Sequence, residues 1–493
     1  MGGVRFGFEN SYARMPERFF ARVNPTPVGK PRLVKVNVEL ADRLGLDRAE
    51  LESAEGMEIL AGNRVAVGSE PLAMAYAGHQ FGVFVKQLGD GRANLLGEVI
   101  GQDGQRYDIQ LKGSGRTPFS RGGDGRAAIG PVLREYIVSE AMAVLGVPTT
   151  RALAAVTTGE PVFREDVLQG AVLTRVAASH LRVGTFEYFL AQGDLDGIRR
   201  LADYAIERHY PEAAGAEKRY RALMDGVVAR QGRLVAQWML LGFVHGVMNT
   251  DNTSISGETI DYGPCAFMEA YDPLTVFSSI DYRGRYAYSN QPHAMHWNMA
   301  RLAEALLPLL IEEAGGEEAG LESARGALQE FGTHFEDALK EGMRKKIGLE
   351  TEREGDNELA DELLNRMAEN RADFTLTFRR LCDAAEGKGG VRELFREPAA
   401  FDAWEARWRA RLTEEPGTPE AIAARMRRVN PMFIPRNHLV EAALRAAEDG
   451  QDFGPFEELM EVLARPFEEQ VGRERYAMPA RPEESVTKTF CGT

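Results

Sequence analysis

The amino-acid sequence predicts an α+β protein of two lobes, β-rich in its first part and mainly helical in its second. Between residues 76 and 185, short apolar runs alternate with glycine-bearing turns. Beyond Thr185, apolar residues recur at three- and four-residue spacing almost throughout, the period of a helix. Length points the same way: 493 residues exceed one ordinary core, and two or three lobes of roughly 100 to 250 residues are expected.

Residues 1–75 read as a segment that wraps a larger body, with an apolar run over 33–38 and a helix over 41–51. In the N-lobe, 76–185, residues 93–100 and 107–112 are predicted strands joined by the turn Gln102-Asp-Gly-Gln105. Pro131 opens a helix running to Leu145, and 150–156 with 171–176 form a further strand pair. The C-lobe, 186–475, is predicted to hold helices over 186–190, 198–210, 219–228, 234–244 and 297–311. An acidic, glycine-bearing break at 312–320 then leads into extra C-terminal helices to residue 464. Trp404 and Trp408, four apart on one of them, read as packing rather than as a base-stacking platform. Residues 476–493, with Pro479 and Pro482, read as a mobile tail carrying Cys491.

Composition excludes several classes. No apolar run approaches the roughly 18 residues of a membrane span, and residues 1–23 lack the continuous apolar core of a secretory signal, so a cytoplasmic protein without membrane contact is expected. A net charge of −15 argues against nucleic acid as a partner. Three cysteines, Cys265, Cys382 and Cys491, without any CxxC spacing, fit neither a disulfide scaffold nor a zinc site.

The chemistry concentrates in a few motifs. Gly89-Asp-Gly91-Arg92 precedes the strand pair, and Lys112 ends its second strand, an arrangement suited to a flap over phosphates. A second glycine-rich, cationic loop, Thr117-Pro-Phe-Ser-Arg-Gly-Gly-Asp124-Gly125-Arg126, leads into the helix carrying Glu135, placed to pair with Lys112. Arg175 and Arg182 are seven apart and suit a polyphosphate clamp. In the loop His245-Gly-Val-Met-Asn-Thr-Asp-Asn252 and the turn Asp261-Tyr-Gly263, two acids and an amide converge: two can hold a divalent cation while a third handles a proton.

Glycine flap, strand Lys, helix Glu, then Asn and Asp-x-Gly in a helical second half follow the bilobal plan of a protein kinase. One position departs from it. Where that plan places the catalytic Asp, two residues after the His, this chain has Val247, and valine accepts no proton. Asp251 stands nearby as a substitute base.

These residues resemble the selenoprotein O family, the YdiU-type pseudokinases that act as protein adenylyltransferases. The motifs that carry the resemblance include Tyr76-Ala-Gly-His-Gln-Phe-Gly82, Leu88-Gly-Asp-Gly-Arg92, Gln110-Leu-Lys-Gly-Ser-Gly115, Leu173-Thr-Arg-Val176, Ser179-His-Leu-Arg182 and Asp261-Tyr-Gly-Pro264. The resemblance implies a kinase-like fold binding ATP in reversed orientation and transferring AMP to Ser, Thr or Tyr hydroxyls of protein substrates. It implies that Lys112 paired with Glu135, together with Arg92, Arg175 and Arg182, holds the phosphates, and that Gly89, Gly91, Asp124 and Gly125 line the nucleotide. Asn252 and Asp261 would bind Mg²⁺ or Mn²⁺, and Asp251 would be the general base. It further implies a Cys265–Cys491 disulfide as a redox switch. Two other readings stay open here: γ-phosphoryl transfer by an atypical kinase, and a non-catalytic nucleotide-binding module.

Overall fold

An antiparallel sheet forms the centre of the N-terminal half in a computed structural model that describes residues 4–489. Its strands run in the order Phe20–Arg22, Leu72–Met74, Ala93–Ile100, Arg106–Lys112, Val167–Ala177, Arg151–Phe163 and Arg32–Val36, with the short Ala127–Ala128 paired to Val167–Ala177. The two predicted strand pairs are present, and the second reaches well past its apolar stretch into a long hairpin. Helix Ile129–Val144 packs on this sheet. The first 75 residues contribute edge strands as well as a cap: Val4, Phe6, Leu40 and Leu60 share a core with Ile109, Leu111 and Val156.

Beyond residue 182 the chain is mainly helical, so the fold is α+β with a β-rich N-terminal half and a largely helical C-terminal half. Three helix assignments differ from expectation. The helix predicted over 41–51 is two, Val38–Arg43 and Arg48–Leu51, because Gly45 turns the chain between them at φ 72°. The stretches 219–228 and 234–244 are one helix, Arg219–Leu241, whose polar middle does not break the hydrogen-bond ladder. That helix stops before Phe243–Val244, which instead pair as a short strand with Ala266–Phe267. Helix Gln291–Ala314 and helix Glu317–Lys346 are separated only by Gly315-Gly316, a tighter break than the acidic stretch suggested.

The last helices do not simply extend the helical lobe. Asn437–Gly450 and Gly454–Leu463 return to cover helix Ile129–Val144, burying Val440, Leu444, Phe456 and Leu459 against Leu133, Tyr136 and Ile137. The side chain of Arg134 spans this contact to Glu441. The N-lobe helix is thus held between the sheet and the end of the chain. Trp404 and Trp408 stack 5.5 Å apart in a separate core, each indole N–H donating to a backbone carbonyl, as packing residues do.

In that core lies a buried amine. Lys346 sits over the Phe378 ring, 4.2 Å from its centroid, and burial lowers its pKa to about 7. Between about pH 7 and the ordinary lysine range the unfolded chain binds the extra proton, so stability rises with pH across that window. Denaturant unfolding should show Lys346→Met more stable than the parent at pH 7 and lacking that rise; an unchanged slope would refute the assignment.

Candidate active site

Between the lobes lies a cleft of about 560 Å³. It is lined by Gly89, Gly91, Arg92, Lys112, Asp124, Gly125, Arg175, Arg182, Asp251, Asn252 and Asp261, which are all of the sequence-predicted site residues except Glu135. Glu135 stands behind Lys112 and lines a smaller adjoining cavity of about 210 Å³.

Lys112, at the end of its strand, donates to Glu135 Oε2 at 2.5 Å and to Asp261 Oδ1 at 2.6 Å. Arg175, from the neighbouring strand, reaches the same two acids, Asp261 Oδ1 at 2.7 Å and Glu135 Oε1 at 3.1 Å. Strand, helix, strand and loop therefore converge on two cations and two anions. Burial opposes the charge of Asp261, but Arg175, Lys112 and Arg182 outweigh it and hold the carboxyl well below its ordinary range. Asp261 also adopts φ 62°, a left-handed conformation unfavourable for a residue with a Cβ, of the kind that collects at functional sites.

Sequence reasoning passed over the residues that orient these charges. Buried Gln110 accepts two bonds from the Arg175 guanidinium at 2.6 and 3.2 Å and donates to Asp90 at 3.2 Å, so both ends of its amide are committed. Asp90, inside the first glycine motif, also takes the Met74 N–H at 3.1 Å and faces Arg182 at 3.8 Å. Arg182 lies over the Tyr76 ring, 4.4 Å from its centroid, and bonds the His180 carbonyl at 3.0 Å. Asp124 is engaged by Arg164 through two bonds, 2.9 and 3.1 Å, from the far end of the long hairpin. Gln110 could have been found from strand alternation, two positions before Lys112; Arg164 carried no local signal.

Opposite this wall is the loop 245–252. His245 is buried, its Nε2 2.9 Å from the Ile260 carbonyl, and burial lowers its pKa. Gly246 has φ 78°, and a Cβ there would lie 1.9 Å from the Pro264 carbonyl, so only glycine lets this loop touch the 261–264 turn. The backbone carbonyl of Val247 accepts the Asn252 side-chain N–H at 3.0 Å, which leaves the Asn252 carbonyl oxygen free of that bond. Asp251 is buried, bonded by Gln80 at 3.3 Å through one oxygen, while the other has no partner among the described residues. Burial pushes it up to about 6. The 78–85 hairpin holds the loop from above: His79 N–H donates to Thr250, Phe81 N–H to Asn249, and His79 Nδ1 pairs with Glu187 at 2.5 Å.

No cluster of three His, Cys, Asp or Glu suited to a metal occurs among the described residues. The donors present are hard oxygens from Asn252 and Asp261, a donor type that fits a hard divalent cation. Cys265 is fully buried, which pushes its thiol up to about 12, and Cys491 lies outside the described residues.

A cleft between a β-rich and a helical lobe, cationic on one wall with a carboxylate and an amide on the other, defines an enzyme of phosphate chemistry with kinase-like architecture. The chain belongs to the SelO family: the model of protein adenylyltransferase SelO matches residues 4–464. Relatives named protein nucleotidyltransferase YdiU include one from Bradyrhizobium sp. (strain ORS 278), 61% identical over 99% of this chain and 100% of its own. Others are from Methylorubrum populi, 62% identical over 99% of both chains, and from Nitrobacter hamburgensis, 61% identical over 99% of this chain and 96% of its own. The protein is thus a nucleotidyltransferase. No helix among the described residues is long and apolar enough to cross a membrane.

The geometry makes Gly78 a sensitive position, since a Cβ there would meet Asp251 Oδ1 at 2.5 Å. Gly78→Ala is expected to displace that carboxylate and lower nucleotidyl transfer at least about tenfold, with an overpacking cost of about 1–3 kcal/mol. Full activity at unchanged melting temperature would show that the contact is not restrictive.

Proposed function

We propose that this protein transfers AMP from ATP to Ser, Thr or Tyr hydroxyls of protein substrates and releases pyrophosphate. The observation that carries the reading is the pairing of an intact phosphate wall with a loop whose usual catalytic acid is Val247, leaving Asp251 as the buried carboxylate facing the cleft. In kinases that acid serves γ-phosphoryl transfer. Val247 counts against that chemistry here, and the family's described activity supports adenylyl transfer.

In this reading Arg92, Lys112, Arg175 and Arg182 bind the phosphates, with Gly89, Gly91, Asp124 and Gly125 along the nucleotide. Asn252 and Asp261 hold Mg²⁺ or Mn²⁺, which when bound neutralises phosphate charge and polarises the group under attack. Glu135 and Asp261 hold Lys112 and Arg175 in ion pairs at the cleft. Asp251 accepts the proton of the acceptor hydroxyl as its oxygen bonds to the α-phosphorus and the α–β anhydride bond breaks. The composition supports a cytoplasmic setting, and the Cys265–Cys491 pair is a proposed redox control.

ATP labelled at the α- or the γ-phosphate separates the readings. Protein-bound α-label alone is expected; bound γ-label would sink this proposal. Asp251→Asn is expected to slow transfer by roughly 10²- to 10⁴-fold, while Asp261→Ala and Lys112→Ala should abolish metal-dependent transfer. Activity kept by Asp261→Ala would refute the metal assignment. Non-reducing mass spectrometry of the oxidised protein should find a linked Cys265–Cys491 peptide; two free thiols would count against the switch.

A further inference from the structure

We infer that Arg121, at the tip of the second glycine loop, is a substrate-contacting residue that receives the departing pyrophosphate; the inference rests on the adenylyl-transfer reading. The loop's base is fixed. Thr117 donates through Oγ1 to the Asp90 carbonyl at 2.7 Å, its N–H bonds Ser120 Oγ at 2.9 Å, and Ser120 in turn donates to the Gly91 carbonyl. The Phe119 ring fills the space beside Gly89, where a Cβ would sit 2.3 Å from it. One glycine loop is thereby stapled to the other.

From this anchored base Arg121 projects with φ 48°, in the left-handed region that a residue with a Cβ enters at a cost. Glycine would serve the turn better, as it does at the next position, Gly122, with φ 89°. The backbone therefore gives no reason for an arginine; the side chain must. That side chain is exposed and lines the cleft.

Charge accounting leaves Arg121 and Arg92 without an acid partner among the described residues, Arg126 being paired with Glu160 at 3.8 Å, and of the two only Arg121 is exposed. Seven cleft-lining residues are Arg or Lys and four are Asp. Arg164 is committed to Asp124 at 2.9 Å, Arg175 and Lys112 to Asp261 at 2.7 and 2.6 Å, and Arg182 faces Asp90 and Asp261 at 3.8 and 3.7 Å. Among the described residues, no carboxylate lies within 4.0 Å of the guanidinium of Arg121. In a chain of net charge −15 an uncommitted arginine at a cleft suits an anion that arrives and leaves.

The buried cations are held by acids at the Asp261 end, so they suit phosphate that stays during reaction. Arg121, exposed on the second glycine loop, suits the group that departs. When the α–β anhydride bond breaks, its electron pair goes to the bridging oxygen of pyrophosphate, and the guanidinium N–H groups donate to the new charge. The acceptor proton goes to Asp251 as before.

Isothermal titration of the full chain with Mg²⁺-pyrophosphate and with AMP, beside steady-state adenylyl transfer, tests this. Arg121→Gly should bind pyrophosphate at least tenfold more weakly, bind AMP within twofold of the parent, and show kcat at least tenfold lower. Its melting temperature should be equal or higher, because glycine relieves the left-handed backbone. Arg121→Lys should recover most of the pyrophosphate affinity. Parental pyrophosphate affinity and kcat in Arg121→Gly would overturn the inference, as would a fall in melting temperature that Arg121→Lys shares. A parent that binds ADP but no pyrophosphate would instead overturn the adenylyl-transfer reading beneath it.

Discussion

Two acids and two cations, Glu135, Asp261, Lys112 and Arg175, form the contact on which the rest of this structure depends. They come from a helix, a loop of the helical lobe and two strands. Removing one partner of such a buried set leaves an uncompensated charge, so the set is costly unless complete. Its completeness fixes the position of the N-lobe helix relative to the 261–264 turn. The helix is held independently from its other side, where Asn437–Gly450 packs on it and Arg134 reaches Glu441. Residues 437–450 thus bear on the same helix that carries Glu135.

Orientation is supplied one layer further back. Gln110 cannot rotate its amide without breaking its bonds to Arg175 or to Asp90, and Asp90 is itself held by the Met74 N–H. Arg182 is placed between Tyr76, Asp90 and the His180 carbonyl. His180 is anchored by Asp108, which takes both its N–H and its Nδ1 at 2.8 and 2.9 Å. Fixed cations need no reorganisation when charge develops near them, which is where electrostatic stabilisation gains its size.

How far this was legible in the sequence follows from the range of each interaction. The Lys112–Glu135 pair could be anticipated because strand, loop and helix are consecutive, and their order limits where each side chain lies. The 93–100 and 106–112 hairpin was legible because its turn chemistry is local. Arg164 was not: its contact with Asp124 exists only because the 151–177 hairpin extends past its apolar core to reach the glycine loop. Nor was the return of the last helices onto the N-lobe, since amphipathic faces state that they are buried and not against what. Nor was the continuity of helix Arg219–Leu241, because its polar middle interrupts the period while the backbone ladder continues.

The loop 245–252 keeps its shape with Val247 where the kinase plan has an acid. Val247 contributes nothing through its side chain, yet its carbonyl still holds the Asn252 amide, a job that any residue's backbone can do. The loop's approach to the 261–264 turn rests on Gly246, and its approach to the flap rests on Gly78 beside Asp251. Both requirements concern backbone proximity and are indifferent to the residue at 247. With valine at 247 the Asn252 and Asp261 oxygens still line the cleft, and Asp251, four residues on, is a buried carboxylate that lines it too. In the adenylyl-transfer proposal, a base at 251 rather than 247 sets a different approach for the acceptor hydroxyl.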